Sequence, residues 1–218
     1  MSSAKIVKID PLQIKEDYIH EAAQVLKAGG LVIIPTETVY GIAANVLNKK
    51  AIERLYEIKK RPKGKPFSIA IEKKERVSEF ARDIPINAYK LIDKFWPGPL
   101  TLILKGINQA SIGTSTSLSA NGEHSRTIGL RMPDNEIALK VIAETMDPIV
   151  LPSANLSGKP APEDFAAAIR DLNGLVDLAI DSGTLKLGIE STIVDFTGEA
   201  PQVVRLGAIN DEEINKAI

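Results

Sequence analysis

The stretch Leu31-Val32-Ile33-Ile34-Pro35-Thr36-Glu37-Thr38-Val39-Tyr40-Gly41 decides the fold class. Its first four residues are apolar at every position, the pattern of a strand covered on both faces, and Pro35, with no amide hydrogen for a ladder, ends it. Upstream, Tyr18, Ala22, Val25 and Leu26 recur at helical spacing over residues 17–28, and Gly29-Gly30 stops that helix just before the strand. Downstream, Ile52, Leu55 and Tyr56 mark a helix over Lys50–Lys60 that Pro62 cannot continue. A two-faced strand between two amphipathic helices belongs to an α/β protein.

The same reading predicts strands at Phe67–Glu72, Leu100–Lys105, Thr127–Met132, Ile149–Leu151, Val176–Asp181, Ser191–Phe196 and Gln202–Leu206. Helices are expected at Ile86–Phe95, Glu136–Met146, Pro162–Leu172 and Asp211–Ala217, the third opened by Pro162 and Glu163. The last three strands are joined by connections too short for crossover helices, which predicts a twisted mixed sheet, parallel and antiparallel, with flanking helices. Gly106–Arg126 is rich in Gly, Ser, Thr and Asn; at about 20 residues such a loop is a lid candidate. No repeat, biased segment or Pro/Gly-rich linker divides the chain, so residues 1–218 are expected to form one domain.

Composition removes several classes of function. Lys and Arg number 27 against 28 Asp and Glu, a formal charge of -1 that argues against binding nucleic acid or membrane through overall charge. The absence of Cys excludes disulfides, thiol nucleophiles and Cys-based metal sites. His20 and His124 are far apart and neither begins an HExxH pattern, so no dedicated metal site is expected. Met1–Pro11 lacks the apolar centre of a signal peptide, and no run of hydrophobic residues exceeds five, against the ~20 that span a bilayer. The expectation is a cytoplasmic protein with no membrane partner. Neither GxxxxGK[ST] nor GxGxxG occurs, which removes the P-loop and Rossmann readings.

Charge is nevertheless uneven. Lys49–Arg76 holds eleven basic and four acidic residues, a local balance of +7. Most of these lysines read as a solvated face. Lys59 differs: it follows Leu55 by four and Ile52 by seven, on the inward stripe of its helix, and Lys is almost never buried without a partner. Arg61, Lys63 and Lys65 follow at once, so an anion there would meet several cations.

Four other places carry polar groups at the ends of buried strands. Thr36–Gly41 forms a hydroxyl-rich turn, where α/β sheets bind ligands; alternatively, its hydroxyls satisfy their own backbone. Ser153-Ala154-Asn155 follows the strand at Ile149–Leu151 and offers donors and acceptors for a phosphate or carboxylate, or a helix cap or Asx-turn. Glu190-Ser191-Thr192 opens one strand and Arg205-Leu206-Gly207 closes another. Arg205 and Arg131, each set in an apolar strand, call for a planar oxyanion: a ligand's, or a structural carboxylate.

In order along the chain these pieces resemble the YrdC family. The matching elements are Pro35–Gly41, Lys59-Lys60-Arg61-Pro62, Trp96-Pro97-Gly98-Pro99-Leu100-Thr101, Arg131-Met132-Pro133, Pro152–Gly158, Glu190-Ser191-Thr192 and Arg205-Leu206-Gly207. The resemblance implies a twisted α/β sheet with a large basic concavity and a nucleotidyltransferase. That enzyme joins L-threonine, bicarbonate and ATP, with Mg2+ expected beside ATP, into threonylcarbamoyl-AMP and pyrophosphate. The product supplies a tRNA threonylcarbamoyl-transfer machinery acting beside the anticodon. By the same match Lys59 and Arg61 are catalytic, and Thr38, Arg131 and Ser191 contact threonine. Lys59, Arg61, Lys65, Thr127, Ser153, Asn155 and Arg205 surround ATP. Longer members add a C-terminal domain; this chain ends soon after Arg205-Leu206-Gly207, so the single-domain form is expected. One position departs: many members carry His in the strand equivalent to Phe67–Glu72, where this chain has Ala70. Competing readings are an uncharacterised paralogue of the same fold, and an RNA-binding or ribosome-maturation module, permitted by the +7 segment but opposed by the neutral total charge and 5% aromatic content. Carbamoyl transfer within a larger maturation factor would need a zinc-finger or acylphosphatase-like segment, which the sequence lacks.

Overall fold

A computed structural model describes residues 3–107, 115–118 and 124–218, with the backbone alone for 115–118 and 124–126. In chain order the elements are β1 (Lys5–Lys8), α1 (Glu16–Lys27), β2 (Val32–Ile34), β3 (Gly41–Asn45), α2 (Lys49–Lys59), β4 (Ile69–Ala70), α3 (Val77–Phe80), α4 (Ile86–Phe95) and β5 (Leu100–Lys105). They continue with β6 (Ser115–Leu118), β7 (His124–Arg131), α5 (Glu136–Thr145), β8 (Ile149–Val150), α6 (Phe165–Arg170), β9 (Leu178–Asp181), β10 (Thr192–Asp195), β11 (Gln202–Arg205) and α7 (Asp211–Asn215).

Among the described residues the strands form one sheet in the order β1-β9-β2-β3-β8-β4-β7-β5-β10-β11, with β6 paired to β7. It is mixed as expected: β9 lies parallel between β1 and β2, β4 and β7 are parallel, and β5 and β10 are parallel. The remaining pairings are antiparallel. The short connection between β10 and β11 makes an antiparallel pair as expected, whereas the one before it does not join neighbouring strands. β9 and β10 are not neighbours; residues 182–191 carry the chain from one half of the sheet to the other. β1, β3 and α3 were not anticipated. Ile42 and Ala44 face one way and Ala43 the other, so β3 is apolar throughout and hides inside what reads as a turn. Of the irregular segment expected over Gly106–Arg126, β6 and the start of β7 are strand, and 108–114 and 119–123 lie outside the described residues.

Strand alternation divides the core. Ile33, Ile42, Ala44, Val150, Leu130 and Leu102 point to one face, which α2, α4 and α7 cover through Leu55, Leu91 and Ile214. Val32, Ile34, Ala43, Ile149 and Leu178 point to the other, covered by α1 and α5 through Ile19, Leu26, Ile137 and Val141. That second cover reaches only the β1-to-β8 half. Over the other half the registers align Ala70 with Arg131, Ile193 with Thr101 and Ile193 with Arg205 on the same face, and there they line a cavity.

β11 needs a bulge to take part. Val203 pairs with Val194 and Arg205 pairs with Ile193, leaving Val204 as an extra residue. Simple alternation would turn Val203 and Arg205 to one side; the extra residue lets Val203 pack on the core while Arg205 turns to the cavity. The segment after β11 is pinned by the buried hydroxyl of Thr192, which donates to the Ile209 carbonyl (2.6 Å) and accepts from the amides of Gly207 (2.9 Å) and Ile209 (3.1 Å). Thr192→Val removes all three bonds while keeping the shape, and each orphaned amide costs about 1–3 kcal/mol. Urea denaturation is expected to show a loss of about 2–4 kcal/mol; a loss within measurement error would contradict this account of the pin.

Candidate functional site

The cavity holds about 830 Å³ of empty space, part of it open to solvent. One side is built by the end of α2. Lys59 lies one turn after Leu55 on the buried stripe, and at 2% exposure its ammonium donates to the carbonyls of Ser153 (2.5 Å) and Asn155 (2.7 Å) and to Asn155 Oδ1 (3.3 Å). The Ser157 amide returns the tie to the Lys59 carbonyl (2.9 Å). Burial, and then the charge of Arg61, push the Lys59 pKa down to about 8, with Glu190 acting the other way. The three oxygens around the amine favour its charged form.

α2 stops at Lys60, a left-handed residue (φ 49°, ψ 39°), in keeping with the bias against helical backbone just before Pro62. The chain swings away and Arg61 turns over the Phe67 ring, 5.1 Å from its centroid. Its Nε and Nη2 donate to the carbonyls of Lys65 (2.9 Å) and Pro66 (3.0 Å). Burial lowers the Arg61 pKa, and Arg205 across the cavity adds to the shift.

On the far side Arg205 wraps Ser191. Its Nε and Nη2 donate to the Ser191 carbonyl (3.1 and 2.9 Å), Nη2 reaches Ser191 Oγ (3.1 Å), and Nη1 pairs with Glu190 (3.1 Å). Ser191 Oγ also meets Thr101 Oγ1 at 2.9 Å. Gly207 allows this close approach, since a Cβ there would lie 2.2 Å from the Glu190 carbonyl oxygen. In the floor, Arg131 Nη2 donates to Glu37 Oε1 and Thr38 Oγ1, both at 2.8 Å, and Nε donates to the Gly98 carbonyl (3.3 Å).

Six of the residues singled out in the sequence line this one cavity: Lys59, Arg61, Arg131, Ser153, Ser191 and Arg205. Four do not. Thr38 is fully buried behind Arg131, its hydroxyl 2.8 Å from Thr36 Oγ1. Lys65 is exposed and meets Arg61 through its backbone. Thr127 sits four residues before Arg131 on the same face of β7, away from the cavity wall. Asn155 faces Lys59 and Ser153, accepting from Ser153 Oγ at 2.6 Å, and its amide donates to Lys159 O. The local reading of the first turn is also realised: Thr36 Oγ1 donates to the Val39 carbonyl (2.7 Å) and accepts from the Thr38 and Val39 amides. At Ser153–Asn155 neither a helix cap nor an Asx-turn forms: Asp164 caps α6, and Asn155 Oδ1 accepts from Ser153 and Lys59.

The wall also contains Thr36, Ser68, Thr101 and Glu190, which the motif reading did not assign. Thr101 and Glu190 stand inside quoted motifs; Ser68 carries no sequence signal and fits because a Cβ at position 129 would lie 2.5 Å from its hydroxyl. Ala70 presents its methyl group to the cavity opposite Arg131.

Residues 24–207 match the Sua5_yciO_yrdC family model, described as "Telomere recombination". The chain belongs to the Sua5/YciO/YrdC family. Relatives in it include the threonylcarbamoyl-AMP synthases of Pyrococcus abyssi, 40% identical over 94% of this chain and 58% of that protein, and of Bacillus subtilis, 37% identical over 96% and 59%. The chain therefore spans about three-fifths of the length of these two relatives. Among solved structures, Pyrococcus abyssi Sua5 complexed with L-threonine superposes with a TM-score of 0.88 at 40% identity, covering 98% of this chain and 60% of that one. Escherichia coli YciO gives 0.81 at 26% identity over 98% and 100%.

Lys59 gives the cavity a pH signature. Its folded pKa, about 8, lies below the ordinary 10.5, so between those values the unfolded chain binds the extra proton and stability rises with pH. Below pH 8 the amine is charged in both states and the rise is absent. Relative to Lys59→Met, wild-type stability is expected to improve by about 1 kcal/mol per pH unit above pH 8. Urea midpoints of the two proteins from pH 7 to 10 test this; a constant difference would contradict it.

Proposed function

We propose that this family member is an L-threonylcarbamoyladenylate synthase whose residues 1–218 form one catalytic domain. The observation that carries the reading is the convergence of Lys59, Arg61 and Arg205 on the same cavity as Arg131 and Ser191. That is the arrangement needed to hold a triphosphate next to an amino acid. The likeness to threonylcarbamoyl-AMP synthases supports it.

In this reading the threonine amine, as its free base, combines with bicarbonate to give a carbamate and water. A carbamate oxygen then bonds to the α-phosphorus of ATP as the bond to pyrophosphate breaks. Three anions must meet, so the protein's contribution is positioning and charge neutralisation rather than covalent catalysis. Arg61 and Arg205 offset the charge growing on the phosphoryl oxygens. Lys59 adds its charge to the wall and holds the Ser153–Asn155 turn, with Ser153 and Asn155 on the nucleotide side of the site and Lys65 and Thr127 at its margin. Arg131 receives the amino-acid carboxylate and Ser191 its hydroxyl; Thr38 acts from behind Arg131. A site that hydrogen-bonds a substrate hydroxyl rejects analogues lacking it. Mg2+ bound with ATP would share the neutralisation of the phosphates. Among the described cavity-lining residues Glu190 is the one carboxylate, and it is paired with Arg205. The product passes in the cytoplasm to a threonylcarbamoyl-transfer machinery acting on tRNA.

Mass spectrometry of a reaction containing ATP, bicarbonate and L-threonine is expected to show threonylcarbamoyl-AMP, with serine and glycine as poorer substrates. Arg61→Ala, which leaves the helix and the Lys59 pin in place, is expected to lower threonine- and bicarbonate-dependent pyrophosphate release at least about a hundredfold. Absence of the adduct, together with undiminished turnover in the variant, would overturn the reading. The RNA-binding alternative, which the exposed lysines beside α2 permit, requires affinity for tRNA that falls steeply with salt.

A further inference from the structure

The buried carboxylate of Glu37 has no place in the reading above. It is 4% exposed, it gives one oxygen to Arg131, and its other oxygen, Oε2, finds no partner among the described residues. Such a group is a poor device for stability. Burying a carboxylate with an unsatisfied oxygen costs free energy, and a buried ion pair often contributes nothing net over an apolar replacement. Its effect is instead on direction.

Arg131 makes three hydrogen bonds within the described residues, and all of them leave from one side of its guanidinium. Nη2 is held by Glu37 and Thr38 and Nε by Gly98, while Nη1 has no partner there. Because the guanidinium is a rigid planar fork, fixing two of its nitrogens fixes the third. Thr38 is itself fixed, since Thr36 Oγ1 meets its hydroxyl and accepts its amide. The backbone of the Thr36–Val39 turn thus sets Glu37 and Thr38, and these set the arginine.

We infer that Glu37 is a positioning residue that locks Arg131 with Nη1 presented to the cavity, so that the amino-acid subsite selects for a carboxylate. The inference rests on the proposed function and deepens it. Without the Glu37 charge, Nη2 keeps only neutral acceptors, the Thr38 hydroxyl and, in a Gln variant, an amide oxygen, and losing the paired carboxylate weakens the hold on the guanidinium. The guanidinium then samples other rotamers, and the carboxylate of the amino acid loses its fixed partner. The nucleotide side, built on Arg61, Arg205 and the Ser153 turn, is untouched.

The test compares L-threonine with L-threoninamide, which lacks the carboxylate charge, by calorimetric binding to wild-type protein and to Glu37→Gln, together with the KM for threonine and for ATP. Wild type is expected to prefer threonine by about tenfold or more, and Glu37→Gln to bring the two within about threefold, with the threonine KM raised and the ATP KM unchanged. Glu37→Asp, one methylene shorter with its charge kept, is expected to give an intermediate ratio, and serves where the Gln variant does not fold. A variant that keeps the wild-type ratio, or that loses both ligands equally, overturns the inference and leaves the synthase reading standing. A wild-type chain that binds neither compound removes both.

Discussion

The structure turns on an ammonium group taken out of water. Lys59 sits at 2% exposure with oxygens of Ser153 and Asn155 around it, and an amine in that position is tolerated only when it is fully hydrogen-bonded. Satisfying it ties the end of α2 to the turn after β8, segments almost a hundred residues apart in sequence. The tie shapes two walls of the cavity at once. It also makes the lysine a structural element first, with its charge delivered to the site as a field rather than through a free hydrogen-bond donor.

The other cations reach the cavity by separate devices. Arg61 arrives because the helix breaks at Lys60 in a left-handed turn. Arg205 arrives because Val204 bulges from β11 and reverses the alternation. Arg131 lies on β7 in register with Ala70 on β4, on the sheet face that α1 and α5 leave bare. Each guanidinium is braced by carbonyls, hydroxyls or a carboxylate, so the positive charge is preorganised, and a ligand need not supply the free energy of ordering it.

Much of this was legible in the sequence, and what was not has physical causes. Leu31–Ile34 announced a two-faced strand, and the inward place of Lys59 on α2 announced a buried amine in need of partners. The identity of those partners was hidden, because backbone carbonyls leave no trace in composition. β3 was missed because its small apolar residues, Gly41, Ala43 and Ala44, follow a hydroxyl-rich turn with no alternation to read. Arg205 was singled out for the right reason, an arginine in an apolar strand, yet its orientation depends on a one-residue bulge that periodicity cannot reveal. Thr38 enters as a threonine contact through the family resemblance alone; the polar turn does not reveal that it is buried, with its hydroxyl accepting from Arg131. Ser68, just before β4, carries no signal, and Thr101 closes a quoted motif without a role of its own, since an isolated hydroxyl in an apolar stretch usually reports nothing.

The claim on which the account depends is spatial: a polyanion and an amino acid are held side by side in the cavity between Arg61, Arg205 and Arg131. A crystal structure of the protein grown with L-threonine and a non-hydrolysable ATP analogue tests it most directly. The account predicts the triphosphate within hydrogen-bond distance of Arg61 and Arg205, and the threonine carboxylate against Arg131 Nη1. Nucleotide bound instead along the exposed lysines of α2, with the cavity empty, would contradict it.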